Sequence, residues 1–204
     1  MDLKQRIIEI ASKLFFRNGI KGITMSDIAA ETGISKRTLY ENFSDKEQLL
    51  EQCILTHSER GDAEIARLTE SADNVIGVLM RFHSMQLTEM WSVGRTIVRD
   101  LKKYHIALYK RIEFWQREKI FRFIPLLEKG VKQGLIRNDI PFEIMLWLLQ
   151  RQFKMLMEDE TIPAERYSFD DFIHAATLSA IRGIATPLGV EKIDEIFKQK
   201  NKKQ

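Results

Sequence analysis

The chain has 204 residues, of which 44% are hydrophobic and 30% charged, a balance that excludes a disordered segment and allows one sizeable core or a small domain fused to a larger one. Only four prolines and ten glycines punctuate it, which favours long helices. The formal net charge is +3, and residues 1–50 carry eight Lys/Arg against seven Asp/Glu, so a polyanionic partner has to be argued from placement rather than from bulk charge.

The lone cysteine, Cys53, excludes an intrachain disulfide and a cysteine-rich zinc site, and its apolar neighbours predict a buried thiol. The N-terminus lacks a cleavable signal, and the densest apolar run, Ile144 to Leu149, is far too short to span a bilayer. A cytoplasmic protein with no membrane partner and no cofactor is expected.

In chain order, Asp2 is placed to cap a first helix, with Gln5 three positions on to reciprocate. Ile7, Ile10, Ala11, Leu14 and Phe15 recur on one face, and Asn18-Gly19 ends the helix. Thr24 and Asp27 form a capping box for a short second helix closed by Gly33. Ile34 plugs the turn, and Ser35 caps a third helix, KRTLYENF. Helices this short need mutual packing, which Ile28, Ala29, Ile34 and Leu39 can supply. Lys36, Arg37, Thr38 and Tyr40 are left outside, so a basic-aromatic surface opens the second member of a helix-turn-helix. The alternative is an αα-hairpin with a solvated charged face. Ser44 and Glu47 predict the cap of a fourth helix. Lys46 in its first turn opposes the helix dipole, a conflict that an arriving phosphate would relieve.

The stretch from Gly22 to Leu50, GITMSDIAAETGISKRTLYENFSDKEQLL, resembles the TetR family of bacterial repressors, and the likeness covers residues from about 5 to 55. It implies a homodimer that binds a near-palindromic DNA operator and is released when a small molecule enters the C-terminal domain. By position, the resemblance assigns Thr24 and Ser35 to helix starts near phosphates. Lys36, Arg37 and Thr38 face base edges or nearby backbone, and Tyr40 and Lys46 contact phosphate. Asn42 stands where many members have histidine, and asparagine can still donate to a phosphate.

Beyond helix four, periodicity carries the reading. Helix four is expected from Asp45 to about Arg67, a fifth helix after Asn74, a sixth from Trp91 to Leu101, and a long seventh from about Ile106 to Gly130 or Gly134. Pro141 opens an eighth helix reaching about Glu158, and a ninth runs from about Phe169 to Thr186, stopped by Pro187. A short amphipathic helix is placed in the last stretch, Glu191 to Gln204. The expected fold is all-α with about nine helices: a DNA-binding domain over residues 1–45 and a ligand-binding and dimerisation domain over residues 46–204.

In the family, the eighth and ninth helices of two subunits form a four-helix bundle. Met145, Leu148, Phe153, Ile173, Leu178 and Ile181 are the candidate dimer contacts, with Ala175, Ala176, Ala180 and Gly183 permitting close approach. Phe82, His83, Met85, Met90, Trp91, Phe114, Trp115, Phe121 and Trp147 lie on the helices that surround the family's pocket, and are the candidates to line an apolar effector site. Each of these is also a reasonable core residue. The four histidines are scattered, and neither a Gly-rich phosphate loop nor H-E-x-x-H is present. The function expected is an operator-binding repressor released by a small apolar or amphipathic ligand, with a helical enzyme as the remote alternative. The alternative is a dimeric regulator controlled by a protein partner, without a small-molecule ligand.

Overall fold

The computed structural model describes residues 2–71, 74–89, 91–158 and 167–201, and for Ser71 and residues 84–89, 91–95, 169–170 and 200–201 the backbone alone. Among the described residues there are eleven α-helices, one 3₁₀ turn and no strand. They are α1 (Leu3–Asn18), α2 (Met25–Thr32), α3 (Lys36–Asn42), α4 (Lys46–Ser71), α5 (Val75–Glu89), α6 (Trp91–Tyr104), α7 (Ile106–Lys119), α8 (Ile124–Lys132), α9 (Phe142–Glu158), α10 (Phe169–Ile184) and α11 (Pro187–Asn201). The all-α expectation holds, with one more helix than the nine numbered and the short last one foreseen.

The extra helix has a local cause. The expected long seventh helix is two, α7 and α8, separated by the 3₁₀ turn Ile120–Phe123. Pro125 sits in the first turn of α8, where its missing N–H leaves no bond unmade. The amphipathic helix expected from Glu191 is α11, which starts earlier, at Pro187. The expected Asp2 cap does not form, since its side chain makes no cap hydrogen bond. At α4 the cap lies one residue later than the Ser44–Glu47 pattern suggests. Asp45 Oδ1 accepts from the Gln48 N–H at 2.8 Å, and Gln48 Oε1 reaches back to accept from the Ser44 N–H at 2.7 Å.

The chain forms two compact units, one of Met1–Ala63 with Val93–Glu113, the other of Glu64–Ser92 with Phe114–Gln204. The first reaches beyond residues 1–45, since it includes most of α4 and parts of α6 and α7. Its core holds Ile7, Ala11, Phe15, Ile20, Ile28, Leu39, Phe43, Leu49 and Leu50, all fully or nearly fully buried. Cys53 is buried with them, its Sγ–H donating to the Ile8 carbonyl at 3.5 Å. Leu101, Leu108 and Ile112 are also buried. The second unit is built on Leu68, α5, α8 and α9 to α11, with Ile76, Leu79, Leu127, Ile136, Ile181 and Ile193 among its buried residues. Within it the turn after α8 is tied down by hydrogen bonds. Thr186 donates its N–H to Leu135 O at 3.0 Å and its hydroxyl to Gly134 O at 2.8 Å, which ties that turn to the start of α11.

Candidate nucleic-acid interface

The helix-turn-helix is α2 and α3. Thr24 accepts from the Asp27 N–H at 3.2 Å while Asp27 Oδ2 accepts from the Thr24 N–H at 2.8 Å, the complete capping box expected. The Thr24 hydroxyl, which lies 2.7 Å from Asp27 Oδ2 and donates to it, and then the Thr24 N–H hold the pKa of the Asp27 carboxyl below its ordinary value. Gly33, at φ 69°, takes the left-handed conformation that closes α2, and the Ile34 N–H returns to Ala29 O at 3.0 Å. The Arg6 guanidinium of α1 donates to the Thr32 carbonyl, fixing the same turn from the opposite side. With Ile28 and Leu39 fully buried, the angle between α2 and α3 is set by packing.

Ser35 caps α3: its Oγ accepts from the Thr38 N–H at 3.0 Å and shares a hydrogen bond with the Thr38 hydroxyl at 2.8 Å. Thr38 is half-buried, whereas Lys36, Arg37 and Tyr40 are exposed. Arg37 pairs with Glu41 one turn on at 3.0 Å, with 89% of its side chain exposed. A surface pair of this kind is worth little and can be exchanged for a stronger acceptor. The Asn42 amide donates to the Thr38 carbonyl at 2.8 Å, so its donor is turned onto its own helix.

Lys46 is half-buried. Its ammonium donates to the Ile20 carbonyl at 2.5 Å and lies 5.9 Å from the centre of the Phe15 ring. Burial pulls its pKa below the ordinary lysine value, opposed by the charges of Asp100 and Asp27. Around it, Asp45, Glu47, Gln48, Glu51 and Arg111 line an open surface groove. His105 Nδ1 and Glu47 Oε2 lie 2.9 Å apart, and Arg111 Nη2 pairs with Glu51 at 3.1 Å.

Asp100 of α6 is a polar residue that pattern reading passed over. It is buried, and its Oδ2 accepts from the backbone N–H groups of Ile20 at 2.8 Å and Lys21 at 3.1 Å. With Arg99, Lys102 and Lys103 around it, Asp100 reads as one more solvated charge. The signal available was its register: Ile97, Asp100 and Leu101 fall at i, i+3 and i+4, which puts a carboxylate on the apolar face.

The remaining sequence candidates divide. In the second unit His83 is buried, and its Nε2 lies 2.8 Å from His174 Nδ1. Thr177, one turn beyond His174, is buried as well, and its hydroxyl has no partner among the described residues. Phe82 is half-buried with its ring 5.1 Å from that of Phe123, and Trp115 and Phe121 are half-buried. Phe114 and Trp147, expected inside, are instead 60% and 44% exposed, because each falls on the outer face of its helix. The side chains of Met85, Met90 and Trp91 lie outside the described residues.

Of the dimer candidates, Ile173 and Ile181 are buried in the chain's own interior, and Met145 and Leu178 pack against the same core. Their spacing places them on the inward face of their helices. Phe153 is half-buried. Leu148 is exposed, and it stands in an exposed row along α9 with Ile144, Trp147 and Met155. On α10, Ala175, Ser179 and Gly183 are exposed at four-residue spacing.

Among the described residues no three His, Cys, Asp or Glu side chains are grouped to hold a metal ion, and no helix is long and apolar enough to cross a membrane.

Residues 7–53 match the model of bacterial regulatory proteins, tetR family. The chain is 29% identical over 146 residues to the HTH-type transcriptional regulator YvaF of Bacillus subtilis (strain 168), covering 68% of this chain and 73% of that one. It is 22% identical over 148 residues to the HTH-type transcriptional repressor KstR2 of Mycobacterium tuberculosis (strain CDC 1551 / Oshkosh), covering 68% and 72%. In fold it is similar to a transcriptional regulator from Saccharomonospora viridis solved in complex with choline. The TM-score is 0.68 at 20% identity, over 90% of this chain and 97% of the other.

Proposed function

We propose that the chain, whose residues 7–53 match the model of bacterial regulatory proteins, tetR family, is a homodimeric repressor that binds a two-fold symmetric DNA operator and is released by a small amphipathic ligand. The observation that carries the DNA reading is α3 itself. A serine cap and a packed Leu39 hold seven residues in register, with Lys36, Arg37 and Tyr40 left on the outside. The N-terminal residues of such a helix reach base edges in the major groove, and flanking cations and hydroxyls take phosphates. We assign Lys36 and Arg37 to base edges and Thr24, Ser35, Thr38, Tyr40, Asn42 and Lys46 to the backbone. For Asn42 and Lys46 this requires exchanging a carbonyl of the protein for a phosphate oxygen, a stronger acceptor.

One helix of this length reads only a few base pairs, so a second copy is needed for a specific site. The exposed row on α9 supports a partner there, since contiguous apolar surface is costly in water, and the small residues exposed on α10 would let a facing helix come close. The pair formed by the buried His83 and the half-buried His174, together with the Thr177 hydroxyl that is unpaired among the described residues, supports a ligand that carries a hydrogen-bonding group. Repression is a property of the related KstR2, and binding of choline belongs to the structurally similar regulator.

The test is selection of duplexes from a random pool. The wild-type protein should recover a two-fold symmetric sequence. Arg37→Ala should relax the preference at one position of each half-site, by about 1–3 kcal/mol of discrimination. Recovery of no preferred sequence would refute the operator reading. An unchanged preference with uniformly weaker binding would move Arg37 to the backbone set.

A further inference from the structure

The contacts assigned to DNA leave Asp100 without a task. Taking an ionised carboxylate out of water is costly unless its oxygens are hydrogen-bonded and its charge is met. At 8% exposure Asp100 satisfies both conditions within one small assembly. The loop between α1 and α2 supplies two backbone donors, from Ile20 and Lys21, to a single oxygen. Lys46 supplies a positive charge that Asp100 helps to maintain. Ile20 joins them, because its N–H is held by Asp100 and its carbonyl by the Lys46 ammonium. The backbone is drawn close: a Cβ at Gly19 would come 3.1 Å from the same carboxylate oxygen, and Gly19 has a φ of +76°.

We propose that Asp100 is a positioning residue for DNA binding. By fixing the turn at Ile20 and Lys21, it sets both the place of the Lys46 ammonium and the entry of the chain into α2, where Thr24 stands. The inference rests on the reading of Lys46 as a phosphate contact. Its sign separates it from simple charge. A carboxylate beside a polyanion repels it, so on charge alone its removal would tighten binding to every duplex. Positioning requires the opposite.

The experiment compares full-length wild type with Asp100→Ala, Asp100→Asn, Lys46→Ala and the Asp100→Ala/Lys46→Ala double variant. Two probes are used across a range of salt: a duplex recovered from a random pool by the wild-type protein, and a shuffled duplex of equal length. Asp100→Ala should weaken both by roughly tenfold, about the worth of one charge-assisted hydrogen bond. It should also lower the slope of log affinity against log salt by about one per protomer, as Lys46→Ala does. A carboxylate that merely supported the fold would not share the lysine's salt signature. The double variant should bind no more weakly than the weaker single variant, because Asp100 acts through Lys46. Asp100→Asn keeps an acceptor oxygen without the charge and should lose a few-fold.

Binding by Asp100→Ala as tight as wild type or tighter, or losses that multiply in the double variant, would overturn the proposal. If Asp100→Ala does not fold, Asp100→Asn decides: affinity at or above that of wild type overturns it, and a few-fold loss with a reduced salt slope supports it. If the wild-type protein recovers no duplex, the DNA-binding reading fails and this inference with it. A wild type that binds while the Asp100 variants match it sinks this inference alone.

Discussion

At the scale of single residues, the first unit shows how neighbours decide what a side chain can do. Lys46 and Asn42 both direct their donors at backbone carbonyls, Ile20 and Thr38, whereas among the described residues Arg37 pairs with the exposed Glu41. Arg37 is thus the residue most readily redirected to a new acceptor. Cys53 is the opposite case. Burial raises its pKa to about 11, and its Sγ–H points at the Ile8 carbonyl. Because the thiolate is the reactive form, raising the pKa removes reactivity at every pH below it. At pH 8 the native thiol should react with iodoacetamide on the order of a hundredfold more slowly than the thiol of the denatured chain, whose pKa lies near 8.5. Equal rates in the two states would place Cys53 at the surface.

At the scale of elements, caps and close approaches account for where helices begin and how they meet. Thr24 with Asp27, and Ser168 with Asp171, form complete capping boxes. The second unit depends on one glycine in particular. A Cβ at Gly189 would lie 2.2 Å from the Leu135 carbonyl oxygen and 3.1 Å from the Ala185 Cβ. That carbonyl cannot yield freely, since it accepts from the Thr186 N–H at 3.0 Å. Gly189→Ala should therefore destabilise the protein by about 1–3 kcal/mol, the usual cost of forcing extra volume into a packed contact. Gly61→Ala, within α4, is the control: a Cβ there meets nothing within 4 Å, and a helical glycine replaced by alanine gains up to about 1 kcal/mol. Thermal midpoints measured for both variants should move in opposite directions. A stable Gly189→Ala would mean that α11 does not press on the turn after α8.

At the scale of the whole molecule, the decisive property is assembly. Sedimentation at micromolar concentration should give twice the chain mass of 23.9 kDa. Leu148→Asp puts a charge in the exposed row on α9, where the isolated chain would tolerate it. It should yield folded monomers with operator binding largely lost. Leu178→Asp is the informative contrast, because Leu178 packs against the chain's own core, so a charge there should lower stability before it changes mass. A wild-type monomer, free and on DNA, would sink the dimer reading. Dimers of Leu148→Asp that still bind the operator would move the interface elsewhere. Once an effector is identified, saturating operator should weaken its binding by the same factor by which it weakens operator binding.

Much of the first fifty residues was legible because their structure is local. The Thr24–Asp27 box, the left-handed Gly33 and the Ser35 cap each join residues within about one turn, so type and spacing suffice to place them. The family resemblance over this stretch could be read from the same residues, and the family match spans residues 7–53. Prolines 125 and 187 were equally visible, yet whether a proline ends a helix or opens the next depends on what the following residues pack against. Only the tertiary structure could decide which face of α9 and α10 turns inward. Both helices are apolar on more than one side, so periodicity offered Ile173, Ile181 and Leu148 alike, and the neighbouring helices buried two and left the third exposed. The same holds for the partners of polar groups. The contacts of Asp100 with Ile20 and of His83 with His174 join residues 80 and 91 positions apart. No local pattern encodes such a pair, because it exists only once packing has brought the two helices and the loop into place.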